Sequence, residues 1–115
     1  MNWKEITSIA SVNLLKQESQ QHPEKAIVIF KHSTRCGTSR MAKNLFESQW
    51  NISEQAYLIN VVESRAASNS LESVFGIPHE SPQVLVIKNG VSIYDNSHDS
   101  IDAEEIIKLM QSEPA

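Results

Sequence analysis

Residues 34–39 read Thr-Arg-Cys-Gly-Thr-Ser and hold the only cysteine of the chain, Cys36. The apolar run "AIVIF" precedes them, and an amphipathic segment from Met41 follows. Cys36 therefore falls between a strand and a helix. At a helix N-terminus, unpaired backbone N–H groups and the macrodipole favour negative charge, so a thiol there ionises more readily. Arg35 and Arg40 add positive potential. Thr34, Thr38 and Ser39 supply hydroxyls, and Gly37 leaves room for an incoming disulfide. A structural cysteine more often sits inside an apolar run. This set suits thiol–disulfide exchange. Dithiol redox proteins carry their resolving thiol three residues on, where this chain has Ser39. Serine cannot form a disulfide, so release of a mixed disulfide on Cys36 needs an external thiol.

The neighbouring residues leave alternatives open. Ser39 either donates to the Cys36 sulfur, caps the helix or is a plain first-turn residue. Arg35 either holds a ligand carboxylate, assists thiolate formation or is a solvated loop arginine. Lys31 is a ligand contact or an exposed strand-end lysine. His32 and His79 flank the site without metal-ligand spacing to a second ligand, and no metal site is expected. His22 and His98 suggest nothing specific. Glu63 and Arg65 read as a capping and ion-pair feature. No paired carboxylates, phosphate loop or Ser/His/Asp set is evident.

The elements that must position Cys36 follow from periodicity. Ile6, Ile9, Ala10 and Leu14 form a helical stripe over Lys4–Gln20, which Pro23 ends. "AIVIF" (26–30) and "AYLINVV" (56–62) read as strands buried on both faces. Met41, Ala42, Leu45, Phe46 and Trp50 mark a second helix. Ala67, Leu71, Val74 and Phe75 mark a third, capped by Ser64 and ended by Gly76. "QVLVI" and "VSIY" flank Asn89-Gly90, a strong hairpin signal. Asp102 and Glu105 have capping-box spacing, flanked by Ile101 and Ile106 as a staple, and open the last helix. The order is α-β-α-β-α-β-β-α, a small α/β sandwich with helices on both faces of a four-stranded mixed sheet. Trp3, Phe46, Trp50 and Tyr57 read as core or rim aromatics.

Composition narrows the class. The chain's 115 residues make one domain, 1–115, large enough to bury a core, and 110–115 read as a frayed tail. Apolar residues make up 40%, enough to fold. A net charge of −4 argues against nucleic acid or an anionic membrane as partner. No apolar run approaches a membrane span, and no signal peptide is visible at "MNWKEITSIA". One cysteine cannot form an internal disulfide. A cytoplasmic monomer is the expectation.

"HSTRCGTSRMA", "VVESRAASN" and "FGIPHESPQVLVIKNG" together resemble the monothiol bacilliredoxin family of YtxJ-like proteins. "NSHDSI" (96–101) fits the same family, and the resemblance runs from about Trp3 to Met110. The family pattern is Thr-Arg-Cys-Pro-x-Ser followed downstream by His-Glu-Ser-Pro-Gln. Here these read Thr34 to Ser39 and His79 to Gln83, with Gly37 in place of the proline. The resemblance implies a thioredoxin-like three-layer sandwich. It implies that Pro82 is cis and lies beside Cys36, and that Ser81 offers its backbone to an extended substrate, with His79 alongside. It also implies bacillithiol as co-substrate, S-thiolated proteins as clients and no permanently bound cofactor. Cys-Gly-Thr-Ser is one residue from the Cys-Gly-Phe-Ser of monothiol glutaredoxins, which hold a [2Fe–2S] cluster with an external thiol. "NSHDSI" stands where their glutathione-binding Gly-Gly-x-Asp pattern would be. A cluster carrier, and a non-catalytic adaptor binding extended peptides beside Pro82, are the rival readings.

Overall fold

A computed structural model describes residues 1–111. The elements are β1 (Trp3–Glu5), α1 (Ile9–Gln21), β2 (Ile27–His32), α2 (Gly37–Gln49), β3 (Ala56–Asn60), α3 (Arg65–Phe75), β4 (Gln83–Lys88), β5 (Val91–Ser97) and α4 (Ala103–Gln111). A 3₁₀ turn, His98–Ser100, precedes α4. The strands form one mixed sheet in the order β1-β3-β2-β4-β5. β1, β3 and β2 are parallel, whereas β4 runs antiparallel to β2 and β5 antiparallel to β4.

β2 is buried at every position, and its alternation divides the core in two. Ile27 and Ile29 pack with Val12 and Leu15 of α1 and Leu71 of α3. Val28 and Phe30 pack with Phe46 of α2 and Ile106 of α4. Each face of the sheet is thus covered by two helices, as right-handed β-α-β crossovers require.

The sheet has five strands, not four. Trp3–Glu5 extends and pairs with Ala56–Leu58 of β3, a stretch too short to show a strand period. α1 starts at Ile9 because the Ser8 hydroxyl accepts the Ser11 N–H at 3.1 Å. Ile6 enters the core from the connecting loop, while Ile9 and Leu14 stay exposed. The inward face of α1 is Val12, Leu15 and Ser19. Ser19 is buried because its hydroxyl accepts the Gly90 N–H and donates to the Lys16 carbonyl. On α2, Met41 and Leu45 are 74% and 54% exposed, against the inward reading. Phe46 alone of that stripe is fully buried, with Ala42 and Trp50 packed against it.

The other boundaries follow local chemistry. Gly76 ends α3 in the left-handed conformation. Asn89 and Gly90 have φ of 51° and 79°, the pair of positive values a type I′ hairpin turn needs. Asp102 accepts the Glu104 and Glu105 N–H groups at 3.0 and 3.4 Å and so caps α4. Glu105 does not complete a capping box, because its carboxylate accepts from the Tyr94 hydroxyl on β5. Ser64 occupies the N-cap position of α3 without a side-chain cap bond. Met110 and Gln111 belong to α4, and the remainder of the expected tail lies outside the described residues.

Candidate active site

β2 and β4 are antiparallel neighbours, with Lys31 opposite Gln83. The loop that leaves β2, Ser33–Cys36, therefore lies at the same end of the sheet as the bend that enters β4, Pro78–Pro82. The Ser81–Pro82 peptide is cis. Topology alone brings the two motifs together, although they are more than forty residues apart.

Cys36 is half-buried and has extended φ and ψ of −110° and 120°. It is the N-cap residue of α2: its carbonyl accepts the Arg40 N–H at 3.0 Å, and its own N–H donates to Ser33 O at 3.2 Å. The sulfur makes no side-chain cap bond to the first-turn amides. This corrects the expectation that those amides point at the sulfur. The helix dipole still acts on the position.

Thr34, Arg35, Gly37 and Thr38 are exposed around the half-buried Cys36. The Thr34 hydroxyl donates to Glu63 Oε1 at 3.1 Å, and the Thr34 carbonyl accepts from Arg40 Nη1 at 3.0 Å. These two contacts fix the turn from both sides. Glu63 therefore serves the Cys36 loop, and no Glu63–Arg65 ion pair is present among the described residues. Arg35 has no partner within the described residues. A Cβ on Gly37 would meet only Arg40 Nη2, at 3.7 Å, so sterics do not demand glycine there.

Ser39 is fully buried and turned away from the sulfur. Its oxygen accepts the Ser33 N–H at 3.0 Å and pairs with His32 Nδ1 at 2.7 Å. His32, which the sequence placed beside the site without metal-ligand spacing, is thus a structural partner of the second active-site position. Burial, then the charges on Lys43 and Arg40, holds its pKa below the usual imidazole value.

The bend is equally braced. Gln83 donates to Pro78 O at 3.1 Å and accepts the Glu80 N–H at 3.3 Å. His98 donates its N–H to Pro82 O at 3.0 Å, and its Nε2 pairs with Glu80 Oε1 at 2.8 Å. His98 sits at φ 56° to do so. Sequence reasoning assigned it nothing, and only the position of "NSHDSI" before α4 hinted at a role. Ser81 is half-buried, its hydroxyl is buried without a partner, and among the described residues its backbone groups make no hydrogen bond.

Lys31 is 1% exposed, not a strand-end surface lysine. Its Nζ lies 2.6 Å from Nδ1 of His79, and the backbone N–H of His79 donates to Glu72 Oε1 of α3 at 2.9 Å. Desolvation lowers the Lys31 pKa to about 8 against the pull of Glu72 and Glu80. Desolvation by burial, then the Lys31 charge, lowers that of His79, although the residue as a whole is exposed. Among the described residues no group of three His, Cys, Asp or Glu comes together to hold a metal ion, and no helix is long and apolar enough to cross a membrane.

Comparison with known proteins agrees with this geometry. A solved thioredoxin-fold protein is similar at TM-score 0.77 and 22% identity, over 90% of this chain and 89% of that one. Thioredoxin from Malassezia sympodialis is similar at 0.67 and 21%, over 96% and 90%. Thioredoxin from Fasciola hepatica is similar at 0.69 and 14%, over 96% and 99%. At such identities these likenesses establish the thioredoxin fold. Residues 4–106 match the family model described as monothiol bacilliredoxin BrxC, which with the fold supports a thiol–disulfide oxidoreductase-like role. The chain belongs to the monothiol bacilliredoxin family.

Proposed function

We propose that this chain removes a low-molecular-weight thiol, bacillithiol, from mixed disulfides on client proteins through Cys36. The observation that carries the reading is a half-exposed lone thiol at the N-cap of α2, with Ser39 at the second position fully engaged elsewhere. The Cys36 thiolate attacks the sulfur of the small thiol. The client–S bond to it breaks, the client leaves as a thiolate, and a Cys36–small-thiol disulfide forms. A second small thiol or a partner reductase then reduces that disulfide, since the chain has no resolving cysteine. The unpaired Ser81 backbone offers an extended client segment a strand-like contact beside the sulfur. Thr34, Arg35, Gly37 and Thr38 line its approach. Bacillithiol as the small thiol rests on family membership.

Intact mass after exposure to oxidised bacillithiol, glutathione disulfide and coenzyme A disulfide tests the reading. The expected result is one adduct on Cys36, formed fastest with bacillithiol and released by added thiol. Failure of Cys36 to react with any of the three near neutral pH would overturn the exchange mechanism. A stable visible chromophore after anaerobic iron and sulfide reconstitution would favour a cluster carrier instead.

A further inference from the structure

The bend that enters β4 is held at every residue but one. Pro78 O accepts from Gln83, the His79 N–H donates to Glu72 Oε1, and the Glu80 N–H donates to Gln83 Oε1. Pro82 O accepts the His98 N–H at 3.0 Å, and Glu80 Oε1 lies 2.8 Å from His98 Nε2. An ionised carboxylate only accepts, so that ring nitrogen carries the proton. His98 therefore grips the residue on each side of Ser81, the backbone of one and the side chain of the other. Among the described residues Ser81 itself has no hydrogen bond on its backbone or its hydroxyl. Two features set this grip apart from packing. Asn89 and His98 are the non-glycine residues with positive φ among the described residues, and the β4–β5 turn accounts for Asn89. His98 opens the 3₁₀ turn before α4 instead, and at φ 56° its N–H and its ring both meet the bend. Such a backbone persists where its surroundings impose it, often at functional sites. The His98 and Glu80 side chains are also exposed, and exposed pairs add little to stability. What the pair supplies is orientation.

We infer that His98 is a positioning residue for the client protein: through Glu80 and Pro82 it holds the Ser81 backbone free and aligned for an extended client segment that carries the mixed disulfide. The inference rests on the exchange reading above. The β2–β4 ladder ends at Lys31–Gln83, so Ser33 and Ser81 leave it at the same end of the sheet. Ser33 O in turn holds the Cys36 N–H at 3.2 Å. A client strand laid on Ser81 therefore brings its disulfide to the Cys36 turn. His98 acts only through the bend. Its effect falls on substrates with a polypeptide backbone, because a free small disulfide has no strand to lay against Ser81.

The test compares two substrates that present the same sulfur to Cys36 and differ in what leaves it. One is a short extended peptide whose single cysteine is joined to bacillithiol, and the other is oxidised bacillithiol. Single-turnover rates with each are measured, and the readout is the ratio of the peptide rate to the small-disulfide rate. His98→Asn tolerates the positive φ but is too short to reach Glu80, and Glu80→Ala removes the other end of the pair. The ratio is expected to fall roughly tenfold in each variant and no further in the double variant. In Glu80→Gln, which keeps an acceptor for the ring, it stays within about threefold of the wild type. A ratio unmoved in both single variants, or losses that multiply in the double variant, overturns the positioning role while leaving wild-type exchange intact. A wild-type Cys36 inert to both substrates overturns the exchange reading, and the positioning role with it.

Discussion

The residues nearest the sulfur divide into those that face it and those that hold the loop, and type alone does not separate them. Ser39 has the spacing of a resolving cysteine, which invites a sulfur-directed role. Its hydroxyl instead bridges the Ser33 N–H and the His32 ring on the buried side of α2. Replacing Ser39 with Ala leaves both groups unsatisfied in the interior, which costs about 1–3 kcal/mol. Urea denaturation of Ser39→Ala checks this, and a loss well under 1 kcal/mol would mean the bridge is not structural. Cys36 was singled out because its neighbours in sequence are unusual for a core, and Pro82 because it directly precedes a strand and the family resemblance implied the cis bond that the structure has. Lys31, His32 and His98 were not. Their roles depend on partners 48, 7 and 18 residues away, brought close by strand pairing and by the turn before α4.

At the scale of elements, apolar periodicity located all four helices and the four longer strands. It misjudged which stripes face inward. Met41 and Leu45 share an exposed helix face, whereas the inward face of α2 is anchored by Phe46 between Phe30 and Trp50. β1 was missed because its stability is tertiary. Trp3 meets Phe30 and Phe46 at 5.7 and 5.8 Å, and its indole N–H donates to Glu47 at 2.6 Å. The start of α2 is where the family's usual proline has been replaced. Gly37 is the first residue of that helix, where an N–H is unpaired in any case, and it has space for a side chain. Gly37→Pro should therefore stabilise the protein by about 0.5–1 kcal/mol, mainly by restricting the unfolded chain. A lower thermal midpoint for Gly37→Pro would show that the loop needs glycine's freedom.

For the whole molecule, the shifted groups fix how stability varies with pH. His32 and His79 have folded pKa values below the ordinary 6.5, so the unfolded chain binds more protons as pH falls, and stability drops through that window. Lys31 adds a second rise in the same direction. Its folded pKa near 8, against 10.5 unfolded, means that the cost of burying its charge is present below pH 8 and fades as pH climbs to about 10.5. On the free-energy scale of a pKa shift, that cost is about 3 kcal/mol. Tyr57 and Tyr94 act oppositely: burial raises both, so they keep protons that the unfolded chain loses, and stability falls above pH 10. The thermal midpoint should therefore climb from pH 5 to a maximum between about pH 8 and 10, far above the sequence pI of about 5.5, and then decline. Lys31→Met should raise the midpoint at pH 7 and flatten the rise between pH 8 and 10, because a methionine carries no charge to desolvate. Calorimetry of both proteins across that range gives the answer. A wild-type maximum on the acid side of neutrality, or a Lys31→Met protein less stable than wild type at pH 7, would mean that the ammonium is stabilised by its His79, Glu72 and Glu80 neighbours more than its burial costs.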